Sequence, residues 1–324
     1  MIRRFPRERP FLERTRLRYV HFLQLLNDGK RERASRVPGF VAVFLGHETD
    51  LILLLAGEPA NALCLRPGHR SVVPIATVVE RATQESERGD VAFYGAPEAQ
   101  LCAMFATVAH PPLDLPDLDV TQPGRLFARL EAERFDGVLE VREGDAVHYV
   151  LLDGGTPQHA FVADDGSGGD VADRLERLFV PERVRAFEVK AYPPVRSLPI
   201  QAAPALVQLY ARTVGGALEA LRETLGAETA IRLFEEARLR AGEKHVALAD
   251  YRIGPDGAVS GQSVAEAEAL TDAVAAWLLE ALTAASRLSD GIDPATLLER
   301  VTYENRYALE AQGFYRHLPW PVGR

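Results

Sequence analysis

Hydrophobic and polar positions alternate in the middle of the chain, a pattern that predicts β-strands. Residues 139–142 alternate between apolar and charged side chains, as in a strand that is covered on one face. Residues 147–152 are apolar on both faces apart from one histidine, so we predict a central strand there. Turn residues at 143–145 and an Asp-Gly-Gly hairpin at 153–155 separate these strands from a third strand at 159–162.

Helical patterns flank this meander. The periodicity predicts a leading helix at 126–135 and a short helix at 171–179, followed by a strand at 184–191. The predicted unit is therefore a helix, a three-stranded meander, a helix and a strand.

The same order of elements is predicted for an earlier segment. Residues 19–26 form its leading helix, a meander extends over 39–65, and a strand at 91–94 closes the unit. Between the meander and that strand, we predict that Ser71 caps a helix with Pro74 in its first turn.

An internal repeat relates the two segments. Residues 39–65 align without a gap to residues 137–163, at an offset of 98, and eight of the 27 positions are identical. Random pairing gives about two identities at average residue usage. We therefore predict a duplication whose shared turn residues are Gly39, Gly57 and Pro59 in the first copy and Gly137, Gly155 and Pro157 in the second.

The last third of the chain has the periodicity of helices. An apolar stripe from 206 to 225 ends at Gly226, and a small hairpin is predicted at 251–259. Residues 263–266 read as a capping box that opens a long helix, and Asp293 with the following proline starts a final helix to about residue 309. These patterns predict an all-α helical bundle.

The predicted fold class is thus α+β, with two repeated helix–meander–helix–strand units followed by the bundle. The predicted divisions are a basic arm and leading helix (1–38), the first repeat (39–110), a proline-rich linker (111–123), the second repeat (124–192), a linker (193–204), the bundle (205–312) and an aromatic tail (313–324).

Composition and charge narrow the classes of protein. The 324 residues are 47% hydrophobic and 26% charged, which is typical of a globular chain. The net charge is −9, yet residues 1–36 hold eleven basic against four acidic side chains. The first 36 residues therefore carry +7 and the remainder −16. We expect an arm that contains Arg3, Arg4, Arg7 and Arg9 to dock loosely on this acidic remainder or on a protein partner.

Several classes are disfavoured. The acidic remainder argues against binding of nucleic acid by the whole chain, because phosphate contacts dominate such affinity. We find no apolar run of about 20 residues and no secretory signal, so we expect no membrane partner. The two cysteines make no disulfide or metal pattern, and a cytoplasmic location is expected.

Candidate chemistry is sparse. His148 and His159 lie on neighbouring predicted strands, where a metal or proton-switch role competes with plain strand packing. The Asp- and Gly-rich segment 164–170 lacks calcium-loop spacing, and Cys64 reads as a small core residue. No catalytic, zinc or phosphate-loop motif is found, so we predict no cofactor, no metal and no enzymatic activity.

The second unit resembles a PATAN-type domain, an α+β module of bacterial signalling proteins. The resemblance rests on a leading helix and on Gly137, Leu139, Val141, Gly155 and Pro157, with a small residue at 160. The first copy matches at the equivalent positions, except that alanine replaces the first glycine of the hairpin turn. The resemblance implies a role in protein–protein signalling without catalysis, and it does not extend to the helical bundle.

Three functions remain open. The leading hypothesis is a non-catalytic cytoplasmic signalling or scaffold protein with a protein partner, a homodimer included. The first alternative is a small-ligand sensor or an unrecognised enzyme with a pocket between the repeats, which convergent histidines and carboxylates would favour. The second is binding of nucleic acid through the arginine-rich arm, which salt-dependent binding of oligonucleotides would favour.

Overall fold

The computed structural model describes residues 4–31, 38–115, 118–163 and 169–320, with the side chains of 28–31 excepted. The fold is mixed α+β, with antiparallel sheets. The chain divides into two compact units, one formed by residues 1–73 and 77–199 and the other by residues 74–76 and 200–324. We call them unit 1 and unit 2.

The first half of unit 1 contains a six-stranded sheet of order β1-β6-β2-β3-β4-β5. Its strands are β1 Pro10–Arg16, β2 Gly39–Leu45, β3 Glu48–Leu55, β4 Glu58–Arg66, β5 His69–Val72 and β6 Asp90–Gly95, and the helices of this region are α1 Phe22–Arg31, α2 Ile75–Gln84 and α3 Glu98–Ala109.

In this region one strand was not predicted, one helix is displaced and one sequence prediction is wrong. Residues 10–16 are an edge strand paired with β6, because Phe11 stacks on Phe93 at 4.7 Å and the backbone joins the ladder. The leading helix begins at Phe22, since residues 17–19 form a 3₁₀ turn that buries Leu17. Ser71 caps no helix, because it lies in β5 opposite Cys64.

The second half of unit 1 contains a four-stranded sheet of order β10-β7-β8-β9. Its strands are β7 Gly137–Glu143, β8 Ala146–Asp153, β9 Thr156–Phe161 and β10 Phe187–Tyr192, and its helices are α4 Pro123–Ala132, α5 Val171–Leu178 and α6 Pro181–Val184. The strand and helix patterns predicted for this region match these elements to within a few residues. The expectation that residues 139–142 are covered on one face is wrong, because Glu140 is buried as deeply as its apolar neighbours.

The two sheets share their strand register at an offset of 98. Val43 pairs with Asp50 and Val91, just as Val141 pairs with His148 and Val189. The ladders β3–β4 and β8–β9 also carry a register shift at the same place, after residues 53 and 151, next to Pro59 and Pro157.

The hairpin turns that precede these shifts have the same conformation. Ala56 and Gly57 have φ of 50° and 80°, and Gly154 and Gly155 have φ of 57° and 82°. Positive φ at both central residues defines a type I′ turn, which matches the twist of the strands. At the strand starts, a Cβ on Gly39 or Gly137 would lie 2.4 Å from the carbonyl oxygen of Tyr94 or Tyr192, respectively.

A shared hydrophobic core joins the two sheets within unit 1. It combines one face of each sheet with the nearly all-apolar helix α3, and its members include Phe40, Leu53, Met104 and Tyr149. The other face of the four-stranded sheet packs against α4, α5 and α6. Helix α3 therefore lies between two apolar surfaces.

Unit 2 is largely helical, with a two-stranded hairpin as predicted. Its elements are α7 Pro204–Leu225, α8 Ala227–Gly242, β11 Arg252–Ile253, β12 Val259–Ser260, α9 Ala267–Leu288, α10 Pro294–Thr302 and α11 Arg306–Ala311. The core centres on Trp277, whose indole N–H donates to the Phe234 carbonyl at 2.9 Å. Among the described helices, α9 alone has the length and composition to span a membrane, and ten of its residues are buried in unit 2.

Three predictions for unit 2 need correction. The expected capping box at 263–266 is absent, because Glu266 is extended and pairs with Gln201 before α9 begins, while the Ala265 carbonyl accepts the Ala202 N–H. The final helix is capped by Asp293 as expected but ends at Thr302, where a 3₁₀ turn precedes α11. The segment predicted as an aromatic tail packs into the core through Phe314, which is fully buried.

Candidate functional site

An open cleft of about 570 Å³ lies in unit 1, between α3 and the four-stranded sheet. Segments distant in sequence form it: the first turns of α3, the start of β7, the β8–β9 hairpin and residues 194–196. The lining residues are Glu98, Ala99, Cys102, Asp136, Gly137, Val138, Leu151, Leu152, Asp153, Gln158, His159, Pro194, Val195 and Arg196.

Local sequence explains how these walls form. Pro97 fixes the start of α3 and places Glu98 in its first turn. Gly137 lets β7 approach the backbone of β10 closely, as described above. Asp136 accepts a hydrogen bond from the Gly154 N–H at 2.5 Å, so this carboxylate also holds the hairpin turn that closes the cleft.

The cleft has an apolar floor and a charged rim. Ala99, Val138, Leu151 and Val195 pack on the shared core, whereas the carboxylates and Arg196 are exposed. Cys102 is only 3% exposed. Burial and, secondarily, the charge of Glu98 raise its pKa to about 11, so the thiol stays protonated at neutral pH.

A buried ion pair joins the two sheets. Arg70 on β5 donates two hydrogen bonds to Glu140 on β7, Nη1 to Oε2 at 2.5 Å and Nη2 to Oε1 at 2.8 Å. Glu140 is 1% exposed. Burial lowers the pKa of Arg70, but the hydrogen bonds and charge of Glu140 outweigh burial, and the net direction is upward. The guanidinium therefore stays charged and acts as a clamp.

A second polar cluster lies on the six-stranded sheet. The Asp50 carboxylate is fully buried and accepts a hydrogen bond from Arg81 Nη1 at 2.8 Å. Arg81 also bonds Glu48 and approaches the Cys64 sulfur at 3.5 Å. Burial raises the pKa of Asp50, and the Cys64 hydrogen bond and Arg81 oppose this shift. Cys64 is thus buried, as expected of a core residue, but it is also part of a polar cluster that sequence reasoning missed.

The two histidines considered as a pair do not face each other. His159 pairs with Leu151, so it shares that residue's face of the sheet, whereas His148 lies three positions earlier and faces the opposite way. His148 accepts the Ala163 N–H at Nδ1, and its Nε2 lies 3.9 Å from Glu143. The expected proximity is therefore wrong.

Metal ligands do not converge in the part of the chain that the structure describes. No group of three or more His, Cys, Asp or Glu side chains is arranged there to hold a metal ion. Most of the Asp- and Gly-rich segment, residues 164–168, lies outside the described residues. Asp170 at its end caps α5 by accepting the Asp173 N–H at 2.9 Å.

The arginines of the predicted arm belong to unit 1. Arg3 lies outside the described residues. The Arg4 N–H donates to the Asp145 carbonyl, and Arg7 and Arg9 sit over the rings of Tyr94 and Phe11 at 4.7 and 5.4 Å. Residues 4–16 therefore contact the rest of the chain, as expected, but they do so through backbone pairing and ring contacts as well as through ion pairs with Asp90.

Comparison of the chain with protein-family models, curated proteins and solved structures gives no match.

Proposed function

We propose that this chain is a non-catalytic signalling or scaffold protein that acts by binding another protein. It consists of two copies of a PATAN-type unit followed by a helical bundle. The shared strand register, the register shifts after residues 53 and 151 and the paired I′ turns support the duplication, because each requires the same local geometry at positions 98 residues apart.

The buried charges of unit 1 support a non-catalytic role. Arg70 is bonded to Glu140, and Asp50 is bonded to Arg81, so these groups hold sheets and a helix together. A general acid or base must reach a substrate proton within hydrogen-bond distance. Side chains held in these buried ion pairs are poorly placed to exchange a proton with a substrate.

The arginine edge is the observation that carries the proposal. We give this name to the exposed arginines on β1 and its flanks, which are Arg4, Arg7, Arg9, Arg14, Arg16 and Arg18. Two glutamates accompany these six arginines within residues 4–18. Arg7 pairs with Glu13, and Arg14 and Arg16 pair with Asp90, whereas Arg9 and Arg18 form no ion pair with a described residue. Among the described strands, β1 pairs with β6 alone, so its other side is the edge of the sheet. A basic strip on an acidic chain fits an acidic segment of a partner protein.

A site-specific cross-link tests the proposal. A photo-cross-linking residue at position 9 is expected to capture a protein through an acidic segment in the native host, and one at position 125 is not. Arg9→Glu with Arg18→Glu should abolish this complex. Arg125→Glu with Arg185→Glu makes the same change of charge at exposed positions elsewhere and should preserve it. Cross-links to nucleic acid alone would refute the proposal and favour the arginine-arm alternative.

The cleft favours a second candidate function, the binding of a small ligand. Its volume falls within the range of about 300–1,000 Å³ that is usual for ligand pockets. A histidine and carboxylates converge on it, which is the arrangement expected of the sensor alternative. Binding of a defined small molecule at the cleft, measured as described next, tests this function separately from the arginine edge.

A further inference from the structure

We infer that the cleft between α3 and the β8–β9 hairpin binds a small organic cation, an amine or guanidinium carried on an aliphatic body. This inference concerns the cleft alone and is independent of the protein partner proposed for the arginine edge.

The shape and polarity of the cleft define the body of the ligand. Its floor is formed by Val138, Leu151 and Val195, which pack on the shared core. The buried Cys102 also lines it. Aliphatic carbons would cover this floor and remove apolar surface from water. A purely ionic ligand would leave the floor exposed.

The charge of the rim defines the head group. Glu98, Asp136 and Asp153 surround the floor, against one cation, Arg196. None of the residues Glu98, Asp153 and Arg196 forms an ion pair with another described residue. The carboxylates are therefore free to receive a cation at the rim, while Asp136 supports the hairpin through Gly154.

The start of α3 does not reverse this preference. A helix N-terminus attracts anions, but Glu98 already places a carboxylate in the first turn of α3. An anionic ligand would meet this carboxylate together with those of Asp136 and Asp153. The rim therefore selects positive charge.

Cys102 provides a reporter inside the cleft. Its thiol is buried and protonated at neutral pH, so alkylation is expected to be slow, and it depends on access through the cleft. A ligand on the floor should slow the alkylation further. Mass spectrometry of the peptide that contains Cys102 separates this signal from that of Cys64.

Three five-carbon probes of matched length test the inference: cadaverine, pentanediol and glutarate. We expect cadaverine to bind by calorimetry and to slow alkylation of Cys102, with pentanediol weaker and glutarate weakest. Glu98→Gln and Asp153→Asn should each weaken the binding of cadaverine several-fold. Glu87→Gln removes an exposed carboxylate elsewhere in unit 1 and should change nothing.

The opposing results are equally defined. Equal binding of pentanediol would show an apolar pocket without charge selection. Tighter binding of glutarate would show an anion site formed by Arg196 and the start of α3. Absence of cadaverine binding to the full-length chain, or binding without protection of Cys102, would overturn the assignment to this cleft.

Discussion

Glu140→Gln should destabilise unit 1 strongly, although the substitution is nearly isosteric. The carboxylate is 1% exposed and accepts both arms of the Arg70 fork. The glutamine amide can accept one of these bonds only, and it leaves the guanidinium without a counter-charge.

The structure sets the size of this effect. Removing one partner of a buried ion pair costs about 3–5 kcal/mol, because the remaining charge stays desolvated. The Arg70 side chain is 17% exposed, so water reaches part of it. We therefore expect a loss at the lower end, about 3 kcal/mol, and a melting temperature lower by roughly 6–12 °C for a unit of this size.

Arg70→Met completes a double-mutant cycle. It leaves the Glu140 carboxylate, which is more deeply buried, without a counter-charge. The free energy of unfolding should fall by about 4 kcal/mol. The double variant removes both charges, so its loss should fall below the sum of the single losses by about 2 kcal/mol or more. Glu188→Gln is the control, since its side chain is 53% exposed and its ion pairs contribute about 1 kcal/mol or less.

The assay must report unit 1. Both tryptophans, Trp277 and Trp320, belong to unit 2, so their fluorescence does not follow the clamp directly. Urea unfolding followed by far-ultraviolet circular dichroism, with hydrogen exchange at β7 and β8, measures the loss in unit 1. A Glu140→Gln protein within about 0.5 kcal/mol of the unmodified chain, or additive losses in the cycle, would refute the reasoning.

Three further outcomes are expected. Phe5→Ala should cost about 3–5 kcal/mol in urea unfolding, because the ring is buried in the shared core; a loss below about 1 kcal/mol would restore the view of a loose arm. Gly155→Ala should cost about 3 kcal/mol or more, since its Cβ would lie 2.2 Å from the Leu130 carbonyl oxygen. Gly144→Ala is the control and should cost about 1 kcal/mol, because there is open space around that position. Equal losses for the two variants would contradict the steric argument. The Arg183 hydrogen bond lowers the pKa of Glu143. The stabilisation that this carboxylate contributes is therefore present at neutral pH and is lost as the pH falls below the ordinary pKa of 4.5. Glu143→Gln should flatten the curve of unfolding free energy against pH in that range.

Sequence reasoning located the elements that depend on local pattern. The meander over 137–161 follows from alternation and from glycines at its turns, which need only neighbouring residues. Strand β1 was missed because its formation depends on β6, some eighty residues further along the chain. Helix α3 was missed for another reason: it is buried between two apolar surfaces, so it lacks the polar face that reveals helical periodicity.

The candidate site was beyond sequence reasoning for a similar reason. Its walls come from residues 98–102, 136–159 and 194–196, and no spacing rule connects these segments. The Arg70–Glu140 clamp likewise joins residues 70 apart. One signal was present: Asp50 interrupts a largely apolar strand, and a buried charge needs a partner. Glu140 gave no such signal, because it alternates with apolar residues as a solvent-facing side chain does.

The placement of residues 4–16 has a consequence for biosynthesis. The Arg4 N–H bonds to Asp145, and the Val147 N–H bonds to Arg4, so the earliest part of this segment cannot settle until residue 147 has been translated. At about 5–20 residues per second, that interval is roughly 7–28 s. Throughout it, Phe5 lacks the part of the shared core that Val147 and Tyr149 supply, and the nascent chain presents an arginine-rich segment to ribosome-associated chaperones. Docking of residue 4 on the second sheet therefore waits for the synthesis of β8.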